Sequence, residues 1–580
     1  MTINETFVKA NAEYEKWLSS GVIDENTAAE LESLRGDAEE IIDRFSQTLK
    51  FGTAGLRGIM RAGLNAMNVY VIRRATQGLA DYINLFASKK CPNNKSVVIV
   101  YDSRINSREF AKEAAAVLAA NGIEVLFYGL LCPTPVASFC VRALNAIAGI
   151  AVTASHNPKM YNGYKVFSED GTQLSVEDAK CVAEYIDKVD IFADIKSCSF
   201  DEAVANGRIK ILGQETDELY MNAVMDQRID PSILQSTDLS VVHTPLHGAS
   251  FKLVPDVLRL CGLKKVYSVD SQLLPDGNFP TAPKPNPELE CVYGESIELA
   301  RKVSADIIIA NDPDSDRIGA VVLHDGEYVR LSGNQTGALL LNYMLSHLNT
   351  SATKFAVKTI VTTELTRRVC EKYNCELIDC LTGFKNIGEV VAYRELHTPN
   401  DKFVMGYEES YGYLIGKYAR DKDGVVAAMS ICEMAAAAKF EGKTLIDKLE
   451  ELYSEFGYYG EYTVNIEFTG FDGNLRRETM MKNLRTDKPS QIVGYNVVKV
   501  DDYLDDGHLV AGTDIAMREN VLYFYLENNN VVVVRPSGTE PKIKLYFLLN
   551  GERHHIEDIF KKDGIADQFA AKLHSMAYDE

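Results

Sequence analysis

Three aspartates at alternate positions, Asp312, Asp314 and Asp316, follow the apolar run ADIIIA in the segment NDPDSDR. In an extended turn, carboxylates at i, i+2 and i+4 can point at one hard cation, and their oxygens suit Mg2+ or Ca2+. An EF-hand loop needs glycine at its sixth position and glutamate at its twelfth; Arg317 and Leu323 stand there, so that motif is excluded. The buried-type strand in front and Arg317 behind, a partner for phosphate, favour a metal centre over an acidic surface turn. A second segment, RPSGTEP at 535–541, is suited to a phosphate. Arg535 offers a bidentate fork, Ser537 and Thr539 offer hydroxyls, and Gly538 lets backbone amides turn inward. Lys542 and Lys544 follow. A tight turn explains Pro536 and Gly538 but not the arginine and the hydroxyls. The chain has no GxxxxGK[ST], so this is not a nucleotide P-loop.

Two more loops are ambiguous by themselves. Ser155, followed by His156 in TASHNP (153–158), reads by itself first as a helix N-cap, the alternative being a nucleophile or phosphate carrier. The absence of a GxSxG elbow argues against an acyl hydrolase. Glu408 and Ser410 in GYEES (406–410) can accept from and donate to sugar hydroxyls, and a solvated acidic turn accounts for them equally well.

The elements that must position these loops are legible. Each loop follows an apolar run: AGIAVT, ADIIIA, DKFVM and NVVVV. Strand-like runs at 96–101, 123–128 and 147–153 flank an Ala-rich helical stretch at 111–121. The alternation restarts at 240–244, 266–269 and 306–310, with helices near 250–260 and 295–304. It restarts again at 355–362, 376–379 and 403–406, with a helix near 364–373. Such alternation predicts βαβ units and mostly parallel sheets. The last stretch, with strands at 462–468, 521–527, 531–535 and 543–549, reads as a separate α+β domain. The predicted fold is α/β: four domains around a central cleft, three related mixed-sheet α/β domains and a C-terminal α+β domain. The expected boundaries are 1–210, 211–325, 326–455 and 456–580, one marked loop in each. Ligands of open α/β sheets bind beyond the carboxyl ends of the strands, as these loops would require.

Composition agrees. A chain of 580 residues suggests roughly four domains at about 150 residues each. With 46% hydrophobic and 25% charged residues, most of the chain should fold. A net charge of −21 repels nucleic acid and anionic lipid, so neither is an expected partner. It also repels phosphorylated metabolites, so a site for one must gather local positive charge. The start, MTINETFVKANAEYEKWL, lacks the basic and apolar regions of a signal peptide. No apolar run approaches the about 18 residues that span a bilayer. Cys370, Cys375 and Cys380 lack CxxC spacing and read as free thiols of a cytoplasmic protein.

These loops together resemble the α-D-phosphohexomutase superfamily. TASHNP is similar to its phosphoserine loop, DPDSDR (312–317) to its metal loop, GYEES to its sugar loop and RPSGTEP to its phosphate loop. KFGTAGLRG (50–58), YNGYKV (161–166), TPLHG (244–248) and TGFKNIG (382–388) match further, in family order. The long form most resembles the branch of bacterial α-phosphoglucomutases, phosphopentomutase and glucose-1,6-bisphosphate synthase. Tyr411 and Gly412 depart from the family's shorter GExSGH form, which leaves open glucose, mannose or pentose phosphate as the preferred substrate.

The resemblance implies a Mg2+-dependent phosphosugar mutase with glucose 1,6-bisphosphate as primer and intermediate. Asp312, Asp314 and Asp316 would hold one Mg2+, with a phosphate oxygen on Ser155 completing the shell. Arg317, Lys385, Glu408, Ser410, Arg535, Ser537, Gly538 and Thr539 would bind the sugar phosphate. For acid and base, Lys165 can lose a proton in a positive site; His156 and Arg57 are alternatives, and His247 reads as structural. A monomer or homodimer is expected. A phosphatase with an aspartyl nucleophile leaves RPSGTEP unexplained, and a non-catalytic sugar-phosphate sensor needs neither Ser155 nor three aspartates.

Overall fold

The computed structural model describes residues 3–87, 95–468, 472–505, 507–537 and 542–578. It separates into two compact units, Met1–Leu331 with Tyr411–Ala437, and Ser332–Ser410 with Ala438–Glu580. Among the described residues, the first unit holds two mixed sheets. One runs in the order Leu56–Ile59, Tyr161–Phe167, Ala148–Val152, Ser96–Tyr101, Glu124–Tyr128, Ile209–Leu212. Its last four strands are mutually parallel, while Tyr161–Phe167 runs antiparallel to both of its neighbours. The other runs Glu327–Leu331, Ile318–His324, Ile307–Asn311, Ser240–Thr244, Lys265–Ser268, with the last three parallel.

Ser96–Tyr101, Ala148–Val152 and Ile307–Asn311 are buried at every position. A parallel strand covered on both faces reads as a continuous apolar run rather than as an alternation. Helix Ser107–Ala120 lies over the first sheet with a buried face made largely of alanine.

In the second unit, Lys354–Thr359 lies parallel between Cys375–Cys380 and Lys402–Glu408. The C-terminal sheet runs Tyr458–Glu467, Lys542–Gly551, Val531–Pro536, Leu522–Leu526, Tyr495–Asp502, Gln491–Ile492 and pairs antiparallel. Helices Gly473–Thr486, Arg553–Phe560 and Ile565–Ser575 contribute to its core.

Within the stretch expected as the third domain, Tyr411–Ala437 groups by its contacts with the first unit. Its buried polar residues find their partners there. Asp423 accepts from Tyr220 at 2.8 Å, the Arg420 amide donates to Ser138 Oγ at 2.8 Å, and Glu433 accepts from the Ile229 amide at 3.2 Å. Among the described residues, no helix is long and apolar enough to cross a membrane.

Candidate active site

Two of the marked loops meet in the first unit. Strand Ala148–Val152 delivers residues 153–158 beyond its carboxyl end, and Ile307–Asn311 does the same for 312–317. Ser155 Oγ donates to Asp312 Oδ2 at 3.0 Å and lies 3.1 Å from His156 Nδ1. Ser155 is 4% exposed and has φ 54°, in the left-handed region. A helix N-cap takes extended backbone and precedes a helix. Here the chain turns straight into strand Tyr161–Phe167, so the N-cap reading of Ser155 is excluded.

Asp312, Asp314 and Asp316 are all buried, and one oxygen from each lies within 4.8 Å of the others. Asp314 Oδ1 and Asp316 Oδ1 have no hydrogen-bond partner. Buried carboxylate oxygens without donors are costly. A hard divalent cation supplies the missing partner, so the three residues can hold a metal ion. The charges here are strongly coupled. Burial, then the charges of Asp314 and Asp316, push the Asp312 carboxyl well above the usual range. Burial acts the same way on Asp316, but Lys165, Lys422 and Arg317 outweigh it and hold that carboxyl low.

Lys165 corrects the expectation of a positive site. Its ammonium donates to Asp314 Oδ2 at 2.8 Å and to Asp316 Oδ2 at 3.0 Å. Burial disfavours the charge, yet these carboxylates raise the Lys165 pKa above its ordinary value and keep the proton on. His156 is the opposite case: burial and the Arg317 and Arg57 guanidinium groups push it well below the ordinary histidine value, so its ring is neutral. Arg57, exposed on strand Leu56–Ile59, donates to Asn157 Oδ1 at 3.2 Å. The Arg317 amide donates to Asp312 Oδ1 at 3.0 Å, and its guanidinium donates to Glu288 at 2.6 Å.

Sequence reasoning missed several residues that frame this centre. Thr134 Oγ1 donates to Asp314 Oδ2 at 2.9 Å, and Lys422 pairs with Asp316 at 3.2 Å. Lys422 lies in a charged stretch, 420–423, that is almost wholly buried; charged residues immediately before an apolar helix were the available signal. Close backbone packing locks the loop at 312–317. A Cβ on Gly424 would come within 2.5 Å of Asn311 Nδ2 and 2.6 Å of the Ser315 carbonyl, and one on Gly248 within 2.4 Å of Pro313 Cα. The TPLHG segment is thus a brace, with the Ala249 amide donating to the Pro313 carbonyl at 2.8 Å. Within it His247 is buried and 3.0 Å from Thr281 Oγ1.

The second unit carries the other two loops. Glu408 is buried and accepts from the Gly383 amide at 3.1 Å, so the GYEES and TGFKNIG segments touch. Ser410 is half-buried. Arg535 donates through Nε and Nη2 to Glu519 Oε1, at 3.1 and 2.8 Å. Burial opposes the Arg535 charge, but Glu519, and more weakly Glu409, sustain it. Burial lowers the Lys385 pKa, with Glu519 opposing and Arg535 adding to the shift. Lys385, Arg535 and Glu519 therefore share one electrostatic neighbourhood. The Ser537 amide donates to the Lys542 carbonyl at 2.8 Å. Gly538 and Thr539 lie outside the described residues.

Comparisons with known proteins place the whole chain. Models of the phosphoglucomutase/phosphomannomutase α/β/α domains I, II and III match residues 48–191, 218–326 and 332–456, and the model of its C-terminal domain matches 481–560. A phosphoglucomutase of Staphylococcus saprophyticus is 35% identical over 536 residues, covering 91% of this chain and 94% of that protein. One of Staphylococcus aureus is 36% identical over 518 residues, covering 87% and 90%. Among solved structures, a putative phosphomannomutase from Thermus thermophilus aligns with TM-score 0.68 at 21% identity, covering 91% of this chain and 99% of that one. The open form of parafusin from Paramecium aligns with TM-score 0.65 at 17% identity, covering 91% and 95%; both likenesses concern the fold.

Proposed function

This chain belongs to the phosphoglucomutase/phosphomannomutase family, and on that premise we propose that it interconverts glucose 1-phosphate and glucose 6-phosphate through phosphorylated Ser155 and a glucose 1,6-bisphosphate intermediate. The observation that carries this reading is the Ser155 hydroxyl on Asp312 at 3.0 Å, beside two carboxylate oxygens without donors. The glucose preference is supported by the staphylococcal relatives, which are phosphoglucomutases.

In this mechanism Asp312, Asp314 and Asp316 would hold Mg2+ beside the Ser155 oxygen. When bound, the cation neutralises charge on the transferring group. Transfer breaks the bond from phosphorus to Ser155 Oγ and forms one to the free sugar hydroxyl. The sugar hydroxyl gives up its proton and Ser155 Oγ gains one, so the step is neutral in protons. His156, beside Oγ, orients the seryl oxygen. Lys165, whose ammonium donates to Asp314 and Asp316, places a positive charge beside the transferring group. Arg317 contributes hydrogen bonds to the same group, and Arg57 adds positive charge beside the phosphoserine loop. Arg535 and Ser537, with Gly538 and Thr539 by resemblance, bind the phosphate that is not reacting. Lys385, Glu408 and Ser410 bind the sugar. After the bisphosphate turns over, the Ser155 hydroxyl attacks the other phosphate, which returns to the serine.

The test is turnover of glucose 1-phosphate with Mg2+ and a glucose 1,6-bisphosphate primer, beside mannose, glucosamine and ribose 1-phosphates. Active protein should carry phosphate on Ser155 by phosphopeptide mass spectrometry, and Ser155→Ala should abolish turnover while leaving the fold intact. A wild-type kcat in the alanine variant would overturn the mechanism, and faster turnover of another sugar would overturn the glucose preference.

A further inference from the structure

The backbone of Ser155 is held from both sides by one buried ion pair. Its amide donates to Thr153 Oγ1 at 2.8 Å, and the Thr153 hydroxyl donates to Asp102 Oδ2 at 2.6 Å. Its carbonyl accepts from Arg104 Nη2, and Arg104 Nε lies 3.2 Å from that same Asp102 oxygen. The path from the Ser155 amide through Thr153, Asp102 and Arg104 to the Ser155 carbonyl is therefore a closed circuit. The Arg104 guanidinium also donates to the carbonyl of Asn157 at 2.5 Å and to those of Pro158 and Tyr161 at 3.1 Å each. The side chains of Asp102 and Arg104 are fully buried. Asp102 Oδ1 is occupied as well, by Ser107 Oγ at 2.7 Å and the Arg104 amide at 3.0 Å. Arg104 is stacked against Phe279, 5.1 Å from the ring centroid.

The circuit encloses a backbone that would not hold its shape unaided. Ser155 has φ 54°, a conformation that residues with a Cβ avoid. That conformation sets the direction of the Cα–Cβ bond and so aims Oγ at Asp312. A seryl backbone released from it relaxes to negative φ and swings Oγ away.

We propose that Asp102, Arg104 and Thr153 are positioning residues for phosphoryl transfer, which lock Ser155 in its left-handed conformation so that its oxygen faces the metal-binding carboxylates. This rests on Ser155 being the phosphoryl carrier. Among the described residues none of the three hydrogen-bonds to Asp312, Asp314 or Asp316, and only the Arg104 charge reaches them, through space; a lysine at 104 keeps that charge. Their loss slows the chemical step and leaves metal affinity as it was.

The experiment compares wild type, Thr153→Val, Thr153→Ser and Arg104→Lys in full-length dephosphorylated protein. Single-turnover transfer of labelled phosphate from glucose 1,6-bisphosphate to Ser155 is followed, with Mg2+ affinity measured by calorimetry. Valine matches threonine in shape but cannot relay the Ser155 amide to Asp102. Its transfer rate should fall by roughly ten- to hundredfold, the factor expected for losing a hydrogen bond to a charged group. Thr153→Ser keeps the hydroxyl and should transfer near the wild-type rate. In Arg104→Lys a single ammonium cannot span four carbonyls, so transfer should be slow. Mg2+ affinity should be equal in all four proteins. Transfer at the wild-type rate in Thr153→Val, or an equal slowing in Thr153→Ser, overturns the proposal, and the threonine pair decides it even if Arg104→Lys does not fold. Failure of wild type itself to take label on Ser155 would instead overturn the phosphoserine mechanism.

Discussion

Replacing Lys165 by methionine should make the stability of the first unit depend on divalent metal. The Lys165 ammonium is 2.8 Å from Asp314 and 3.0 Å from Asp316, all three side chains being nearly or fully buried. Asp316 keeps a second cation in Lys422 at 3.2 Å, whereas among the described residues the Asp314 side chain keeps the Thr134 hydroxyl, at 2.9 Å, as its hydrogen-bond donor. The penalty therefore falls on Asp314, and removing one partner of a buried pair costs about 3–5 kcal/mol. A divalent cation among the three carboxylates offsets most of that loss. By linkage, the variant should bind Mg2+ more tightly, by at least about tenfold and by up to about a thousandfold if the metal restores the whole deficit. The assays are thermal unfolding with EDTA and with saturating Mg2+, and calorimetric titration of Mg2+. Lys165→Met should melt well below wild type in EDTA and close to it in Mg2+, while its kcat falls because a charge beside the transferring group is gone. An equal melting deficit under both conditions, with unchanged Mg2+ affinity, would refute the reasoning: Lys165 would then be a packing residue and the carboxylates no metal site.

Two further outcomes are expected. Arg535→Ala should lower kcat/KM by at least about tenfold, since hydrogen bonds to a charged partner contribute about 1.5–3 kcal/mol; Arg535→Lys should recover only part, and the alanine variant should release more free glucose 1,6-bisphosphate during turnover. His243 is fully buried against Asn311 at 3.2 Å, and burial lowers its pKa from 6.5 to about 4. The folded protein thus resists a proton that the unfolded chain accepts, so this contribution is present above pH 6.5 and lost as pH falls towards about 4. Over that window it amounts to about 3 kcal/mol, and His243→Gln should flatten the pH dependence of the urea midpoint; an unchanged slope would show that His243 does not carry it.

Some of this was legible because the chemistry needs particular residue types within a few positions. The aspartates of DPDSDR sit in a short loop after an apolar strand and beside an arginine, whereas the Ser-His pair of TASHNP by itself fitted a helix N-cap too and stood out only with the other loops. Buried parallel strands such as 96–101 and 306–310 announced themselves as unbroken apolar runs, and the structure has strands at Ser96–Tyr101 and Ile307–Asn311. Lys165 shows the limit. Its nearness to the phosphoserine loop suggested positive surroundings, yet its partners Asp314 and Asp316 are 149 and 151 positions away. The same holds for Arg104, whose carbonyl partners Ser155 and Asn157 lie more than fifty positions beyond it.

The sequence by itself determined the strand–helix alternation, the placing of Ser155 and of Asp312, Asp314 and Asp316 at strand ends, and a carboxylate set that can hold a metal ion, because these follow from periodicity and from what side chains can bind. Tertiary structure alone decided the carboxylate partners of Lys165, the burial that lowers the His156 pKa, the left-handed backbone of Ser155 and the grouping of Tyr411–Ala437 with the first unit. Each of these depends on which groups meet in a place from which water is excluded. There a single neighbouring charge or carbonyl outweighs local preference, and such neighbours come from segments that sequence proximity does not connect.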